Sequence, residues 1–531
     1  MISRGSFWAG YGIVPIVALI VALQGCGDGD GGGSAPAMVV TPESPPTQPL
    51  IGPAWLTFGG DAQHTALGAI ATQPLNRIVW RTPVDLAPSY SGSALLIHYG
   101  SPVISARNTV LVPLKSTSTG GFRIEARAGG NGELLWSEAT DYRLPTGSFW
   151  LPSYNLTLTA SNRVYAPGAG GKLVFRENVD AATGAMQTAV FYGAANYAAS
   201  ALAYDTSVYI NTPLTSDRAG NIFFGFIVTG ANPAGLVGGI ARVGPDGRGS
   251  WVGASTAAGV TGIDKVAMNS APALSHDSRT LYVAVAGSGS TGRAEGYLLA
   301  LDSTTFATRA KILLTDPVTG MPATINESGT ASPMIGPDGD VYFGVLESNL
   351  PAHNFRGWLL HFDGDLSRTK TPGSFGWDTT PSLVPATMLP SYAAGSAYLL
   401  MSKYNNYGGA GTGDGKNRIA ILDPNQSQAD TISGNPVMKE ILTILGPTPD
   451  AGYPGGVKEW CINTAAVDPL SRSVLANSED GFLYRWDLAG NRFSERIQLT
   501  SGLAESYTPT AIGADGAVYA INNAVLFSVG R

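Results

Sequence analysis

The sequence predicts an all-β chain closed into one eight-bladed β-propeller, and three observations predict it. First, a short block recurs in which a β-branched, leucine or alanine residue is followed by tyrosine or leucine and then an apolar residue. It reads TVLV at 109, RVYA at 163, SVYI at 207, TLYV at 280, DVYF at 340, SAYL at 396, SVLA at 473 and AVYA at 517. Its spacing of about 44 to 77 residues fits the blade period of a propeller with loop insertions. Second, each copy lies between two further strand-like runs. Third, the last copy ends at Arg531 one strand short, while NRIVWRTPV (76–84) has alternating apolar residues and no hairpin partner. Pairing those two ends closes the ring and removes the exposed edges, which favours eight blades over seven.

Each element has a physical reason. The runs ahead of the repeated block are small and often carry proline: GSPVI at 100, LPSYN at 151, SALAY at 200, SAPAL at 270, ASPMI at 331, TPSLV at 380, NTAAV at 463 and YTPTA at 507. Strands nearest a propeller axis are crowded, so small residues pack there. Turns such as GPDGD, SEDGF and GADGA follow, where Asp-Gly supplies the positive φ of a tight hairpin. The third strand reads GYLLALD at 296, GWLLHFD at 357, NRIAILD at 417, GFLYRWD at 481 and NAVLFSV at 523, with weaker forms at 122, 172 and 238. Composition agrees: 68 glycines and only 13 % charged residues suit many short strands joined by tight turns.

The N-terminal part reads differently. Arg4 precedes an apolar run, GIVPIVALIVAL, of about 12 residues, the length of a signal-peptide core and shorter than the roughly 20 a spanning helix needs. LQGC resembles the lipobox of bacterial lipoproteins, with Leu23, small Gly25 and then Cys26, whose thiol would carry a diacylglycerol. The competing readings are an uncleaved anchor and an ordinary secretory signal with an incidental cysteine. Either way the chain is exported. Residues 27–49 are rich in Gly, Pro, Ser and Thr without period and cannot bury enough apolar surface to offset their ordering entropy. The organisation expected is therefore a signal peptide (1–25), a flexible tether (26–52) that moors a soluble body to a membrane through Cys26, and the propeller (53–531). The location expected is the bacterial cell envelope, on the periplasmic side in a Gram-negative cell.

A net charge of −7 with no basic block excludes a nucleic-acid partner. Of two cysteines, one lies in the lipobox, so Cys461 has no intrachain partner in the mature protein and reads as a buried small apolar residue. Five histidines at 64, 98, 276, 353 and 361 show no metal-ligand spacing. No nucleophile elbow and no phosphate-cradling loop is present.

WLTFGGDAQHTAL (55–67) resembles the opening segment of bacterial propellers built from quinoprotein-type repeats, and GYLLALDSTTF resembles their third strand and turn. That family includes pyrroloquinoline-quinone (PQQ) dehydrogenases and noncatalytic bacterial propeller lipoproteins such as the propeller subunit of the outer-membrane protein assembly machinery. The resemblance implies, for the enzymes, an adjacent cysteine pair against the quinone and a calcium held by carboxylate and amide oxygens. Here no two cysteines are adjacent, and of the family's glycine-to-tryptophan docking motifs only GNGELLW, ending at Trp136, is kept. DAATGAM (180–186) and DSTTFAT (302–308) have lost the tryptophan. The expectation is a noncatalytic scaffold without a cofactor, binding a protein or glycan partner through loops at one face. A divergent PQQ- and calcium-dependent dehydrogenase is the alternative.

Residues just before the innermost strands should ring one channel mouth: His98, Tyr99, Asn269, Glu327, Asp378, Glu459, Trp460, Asn463, Glu505 and Tyr507. Converging oxygens there would hold calcium or a polar ligand, against the plainer reading of solvated loop residues. Two insertions, 346–357 and 402–417, add aromatic and amide side chains that suit a sugar or an extended peptide.

Overall fold

A computed structural model describes residues 51–531, apart from 92–93, 96–97, 119, 146–153, 288–292, 327–330 and 503–505. The leader, Cys26 and the tether up to residue 50 lie outside the described residues, as do Glu327 and Glu505. Eight successive antiparallel sheets form eight blades. Their inner strands are Val103–Ile104, Thr157–Leu158, Val208–Ile210 with Thr215–Ser216, Lys265–Val266 with Ala273–Leu274, Met334–Ile335, Ser382–Pro385, Ala466–Asp468 and Ala511–Ile512. The outermost strands are longer, up to the ten residues of Pro436–Leu445 in blade 6, as expected where blades splay away from the axis. Blade 5 has three full strands, and bridges from Leu359 to Gly373 and from Phe362 to Thr369 supply its outer edge. No helix among the described residues is long and apolar enough to cross a membrane.

The ring closes through Arg77–Pro83, which pairs antiparallel with Val525–Gly530, from Arg77 opposite Gly530 to Pro83 opposite Val525. Blade 8 therefore takes its outermost strand from the start of the propeller and its other three from the end. Trp80 on that strand reaches across the seam, and its indole Nε1 donates to the Gly129 carbonyl of blade 1 at 2.7 Å. Trp136 does the same from blade 1 to the Val179 carbonyl of blade 2 at 2.8 Å. Gly132 shows why the docking motif carries glycine: its φ is +74°, and a Cβ there would come within 2.6 Å of Trp80 Cγ.

Blade 3 departs from the expected pattern. SALAY, read as its inner strand, is instead the helix Ala201–Asp205, preceded by the helix Ala194–Ala199. Alanine and leucine favour helix, and no β-branched residue opposes it. SVYI moves inward to supply the inner strand Val208–Ile210, and Ile222–Val228 becomes the second strand.

The opening segment makes a girdle around the axis, touching the blades in sequence order. Trp55 N–H donates to Ile104 O of blade 1 (2.9 Å), Leu56 O accepts from Leu158 of blade 2 (2.7 Å), and Thr57 Oγ1 donates to Leu214 O of blade 3 (2.7 Å). Ala62 O accepts from Leu274 of blade 4, Gln63 O from Ile335 of blade 5, Thr65 O from Leu383 of blade 6 and Ala66 O from Val467 of blade 7, all within 3.0 Å. Gln73 N–H closes the circuit on Gly516 O of blade 8 at 2.8 Å. Apart from Leu214, Leu383 and Gly516, the blade partners named sit at or next to the C-terminal end of an inner strand, so the girdle floors the channel at the end opposite the expected mouth. His64 is fully buried in it, and its Nδ1–H donates to Pro333 O at 2.7 Å.

Candidate functional site at the channel mouth

The residues preceding the inner strands lie opposite the girdle, and several from different blades meet. The His98 ring, ahead of blade 1, packs at 4.0 Å on Tyr507, ahead of blade 8. The Lys403 ammonium, from the strand Tyr398–Tyr404 of blade 6, lies 5.4 Å from the centre of the same Tyr507 ring and 5.7 Å from that of Phe375. Asn463, ahead of blade 7, donates through Nδ2 to the Asp378 carbonyl at 3.2 Å. The Cys461 thiol is buried and donates to Glu479 Oε2 at 3.3 Å, with Glu459 Oε2 at 3.9 Å.

Other candidates are placed elsewhere. Trp460 is 1 % exposed and packs in a blade core between Tyr484 (5.7 Å) and Phe493 (5.8 Å). Tyr99 donates its hydroxyl to Asp85 at 2.9 Å, within a buried pair of Asp85 and Lys115. Asn269 lies beside blade 3, its N–H bonded to Asn211 O at 3.0 Å. Its neighbour Met268 lines a cavity of about 20 Å³ with Trp377 and Asp378, the volume of one water.

Electrostatics follow from depth. Burial, then the Glu479 carboxylate, push the Glu459 carboxyl up to about 8, although part of its surface stays open to the mouth. Burial also raises Glu479. Burial and the Lys403 charge lower His98 to about 3, so the ring is neutral at pH 7. Tyr407 is pushed well up by burial and by Glu459. The mouth thus sets Lys403 near a Glu459 carboxyl that holds its proton at pH 7.

The two insertions build its wall. Asn354 Nδ2 donates to Asn406 Oδ1 at 2.9 Å, and Asn354 Oδ1 accepts from Thr412 N–H at 2.8 Å. Asn417 Nδ2 ties the second insertion to Val457 O at 2.8 Å. Half-buried Phe355, Trp377 and Tyr407 follow one another at ring separations of 6.4 and 5.8 Å, and Phe375 lies 6.2 Å from Tyr407. Glu479, Phe375 and Trp377 escape the sequence reading, whereas Lys403 and Tyr407 fall within the insertion 402–417 without being named in it. The signal for Lys403 was a lone cation in the otherwise uncharged run YLLMSKY.

Two chemistries do not fit these residues. Among the described residues no group of three His, Cys, Asp or Glu side chains is arranged for a metal, and Cys461 faces carboxyls rather than a second cysteine. The described donor set suits neither a carboxylate-held calcium nor a disulfide-backed quinone. Ser374, His353 and Asp430 lie together, with His353 Nε2 3.4 Å from the serine hydroxyl, but that hydroxyl donates to Asp430 and all three side chains are buried, so no substrate reaches them.

No protein family and no curated protein matches the sequence. Solved structures do. A europium-containing methanol dehydrogenase aligns over 88 % of both chains at 9 % identity with a TM-score of 0.54. The quinohemoprotein alcohol dehydrogenase of Comamonas testosteroni covers 90 % of this chain and 81 % of its own at 12 % identity and a TM-score of 0.49. BamB of Moraxella catarrhalis covers 86 % and 99 % at 12 % identity and a TM-score of 0.42. At such identity the likeness is one of fold, and the resemblance of the repeats to quinoprotein-type propellers holds at that level: the chain is an eight-bladed propeller of the architecture found in the methanol dehydrogenase.

Proposed function

We propose that this chain is an exported bacterial envelope lipoprotein, moored by a lipid on Cys26 and held off the membrane by the tether, on the periplasmic side in a Gram-negative cell. Its propeller is a noncatalytic scaffold that offers the channel mouth to a protein or glycan partner. One observation carries the reading. The girdle occupies the opposite end of the axis, so the two long insertions and the buried polar cluster share a single face. Functional loops extending from a rigid scaffold are the usual arrangement of a binding protein.

Photo-crosslinking side chains placed in cells at Asn406 or Asp450, on the mouth side, and at Asp515, on the girdle side, test the face. Adducts from the mouth positions alone are expected; adducts from Asp515 alone would overturn it. Cys26→Ser should move the chain from the membrane to the soluble fraction, and an unchanged membrane fraction would refute the anchor. Dye reduction by the purified chain after adding calcium and pyrroloquinoline quinone would favour the dehydrogenase alternative instead.

A further inference from the structure

Lys403 at the mouth is 3 % exposed, yet no hydrogen bond or ion pair joins its ammonium to a described residue; its contacts there are the faces of Tyr507 and Phe375. Two other deeply buried lysines behave differently. Lys115 sits on Asp85 at 2.9 Å, and Lys172 sits on Asp141 at 2.5 Å. Removing an ammonium from water without a counter-ion is costly, and aromatic faces offset only part of that cost. Glu459, which feels the Lys403 charge, is held protonated by its burial and supplies little compensating charge. Among the described residues, then, no ion pair neutralises Lys403, and an incoming anion would do so. The rings of Tyr507 and Phe375 flank the ammonium, and from Phe375 the half-buried rings of Tyr407, Trp377 and Phe355 follow in turn. The protonated carboxyl of Glu459 both donates and accepts hydrogen bonds, as a sugar hydroxyl requires.

We propose that the mouth binds a sugar ring bearing a carboxylate, an acidic saccharide, with Lys403 as its anion anchor and the aromatic collar against the apolar face of the ring. This rests on the reading of the mouth as the working face, and it selects a glycan over a protein partner. A peptide would satisfy the ammonium through a side-chain or terminal carboxylate but would leave the Glu459 carboxyl without the ring hydroxyl it can pair with.

Calorimetric titration of the full-length chain in detergent at pH 7 with glucuronate, glucose and N-acetyl-dialanine tests this. Glucuronate should bind, with glucose at least about tenfold weaker, because a hydrogen bond to a charged group contributes about that much or more. Lys403→Met should weaken glucuronate about 10- to 100-fold with an unchanged circular dichroism spectrum, and Lys403→Arg should restore most of the affinity. Trp377→Ala, at a half-buried position, should cost about 2- to 10-fold and decides the matter if Lys403→Met does not fold. Equal binding of glucose, unchanged affinity in the variants, or binding of N-acetyl-dialanine with glucuronate silent would each overturn the assignment. Silence of all three ligands with mouth-face crosslinks retained would reject the saccharide and leave the working face standing.

Discussion

Trp80→Ala should open the propeller seam more than any outer-strand substitution of similar exposure. The side chain is 8 % exposed, lies 5.7 Å from the Tyr519 ring, and bonds Gly129 O across the boundary between the first and last blades. Truncating a buried tryptophan costs about 3–5 kcal/mol in lost transfer energy and cavity formation. Gly129 O is not orphaned, because Tyr519 also donates to it at 3.4 Å, so Trp80→Phe should cost only about 0.5–1.5 kcal/mol. For a propeller spanning Leu50–Arg531, the unfolding entropy is about 1 kcal/mol/K, which turns those losses into a drop in Tm of about 3–5 °C for alanine and about 1 °C for phenylalanine. Differential scanning calorimetry at one scan rate reads both. A shift under 1 °C for alanine, or equal shifts for the two variants, would refute the claim that ring packing at the seam carries the closure.

Other consequences follow from single groups. Glu459 ionises near 4.5 when unfolded and only near 8 when folded, so the folded state holds the extra proton between those values and stability falls as pH rises through that window. Glu459→Gln should raise Tm at pH 8 and leave it unchanged at pH 4; the reverse pattern would refute the burial argument. His64 shifts the opposite way, from 6.5 unfolded to about 4 folded, so its contribution is lost as pH falls from 6.5 towards 4. Limited proteolysis of the girdle should therefore quicken in acid, and His64→Asn should flatten that dependence. Lys115→Met strands Asp85 and should cost about 3–5 kcal/mol by urea denaturation, whereas the double change Lys115→Met with Asp85→Leu should recover most of it.

The fold was legible because every blade repeats the same packing problem. A small inner strand and an apolar second strand recur where the axis is crowded, joined by an Asp-Gly turn in blades 5 and 8, while SEDGF turns between the second and third strands of blade 7, and the unpaired run around Trp80 could only belong to the last sheet. Blade 3 was misread because SALAY sits at the right spacing with the wrong propensity. The docking role of Trp80 was hidden because its motif partner, Gly132, lies about 50 residues downstream in the next blade. The girdle left no periodic trace at all: its donors are main-chain groups, bonded to residues as distant as Val467 and Gly516.

The mouth was half legible for a related reason. Its residues are bound by no shared spacing, only by the ring that brings blade 1 beside blade 8 and turns His98 onto Tyr507. Once closed, eight similar blades would give an axis with no preferred side, yet both long insertions rise from neighbouring blades 5 and 6, and the loop ahead of blade 7 braces the second of them. The rim is therefore tall along one arc, and Lys403 enters the channel from beneath that arc, towards residues of blades 1 and 8. An asymmetry of this kind, on a scaffold that otherwise averages its blades, places the proposed ligand against the tall arc. It makes Trp377 and Tyr407, rather than the residues ahead of blades 2 to 4, the contacts whose loss should be felt first.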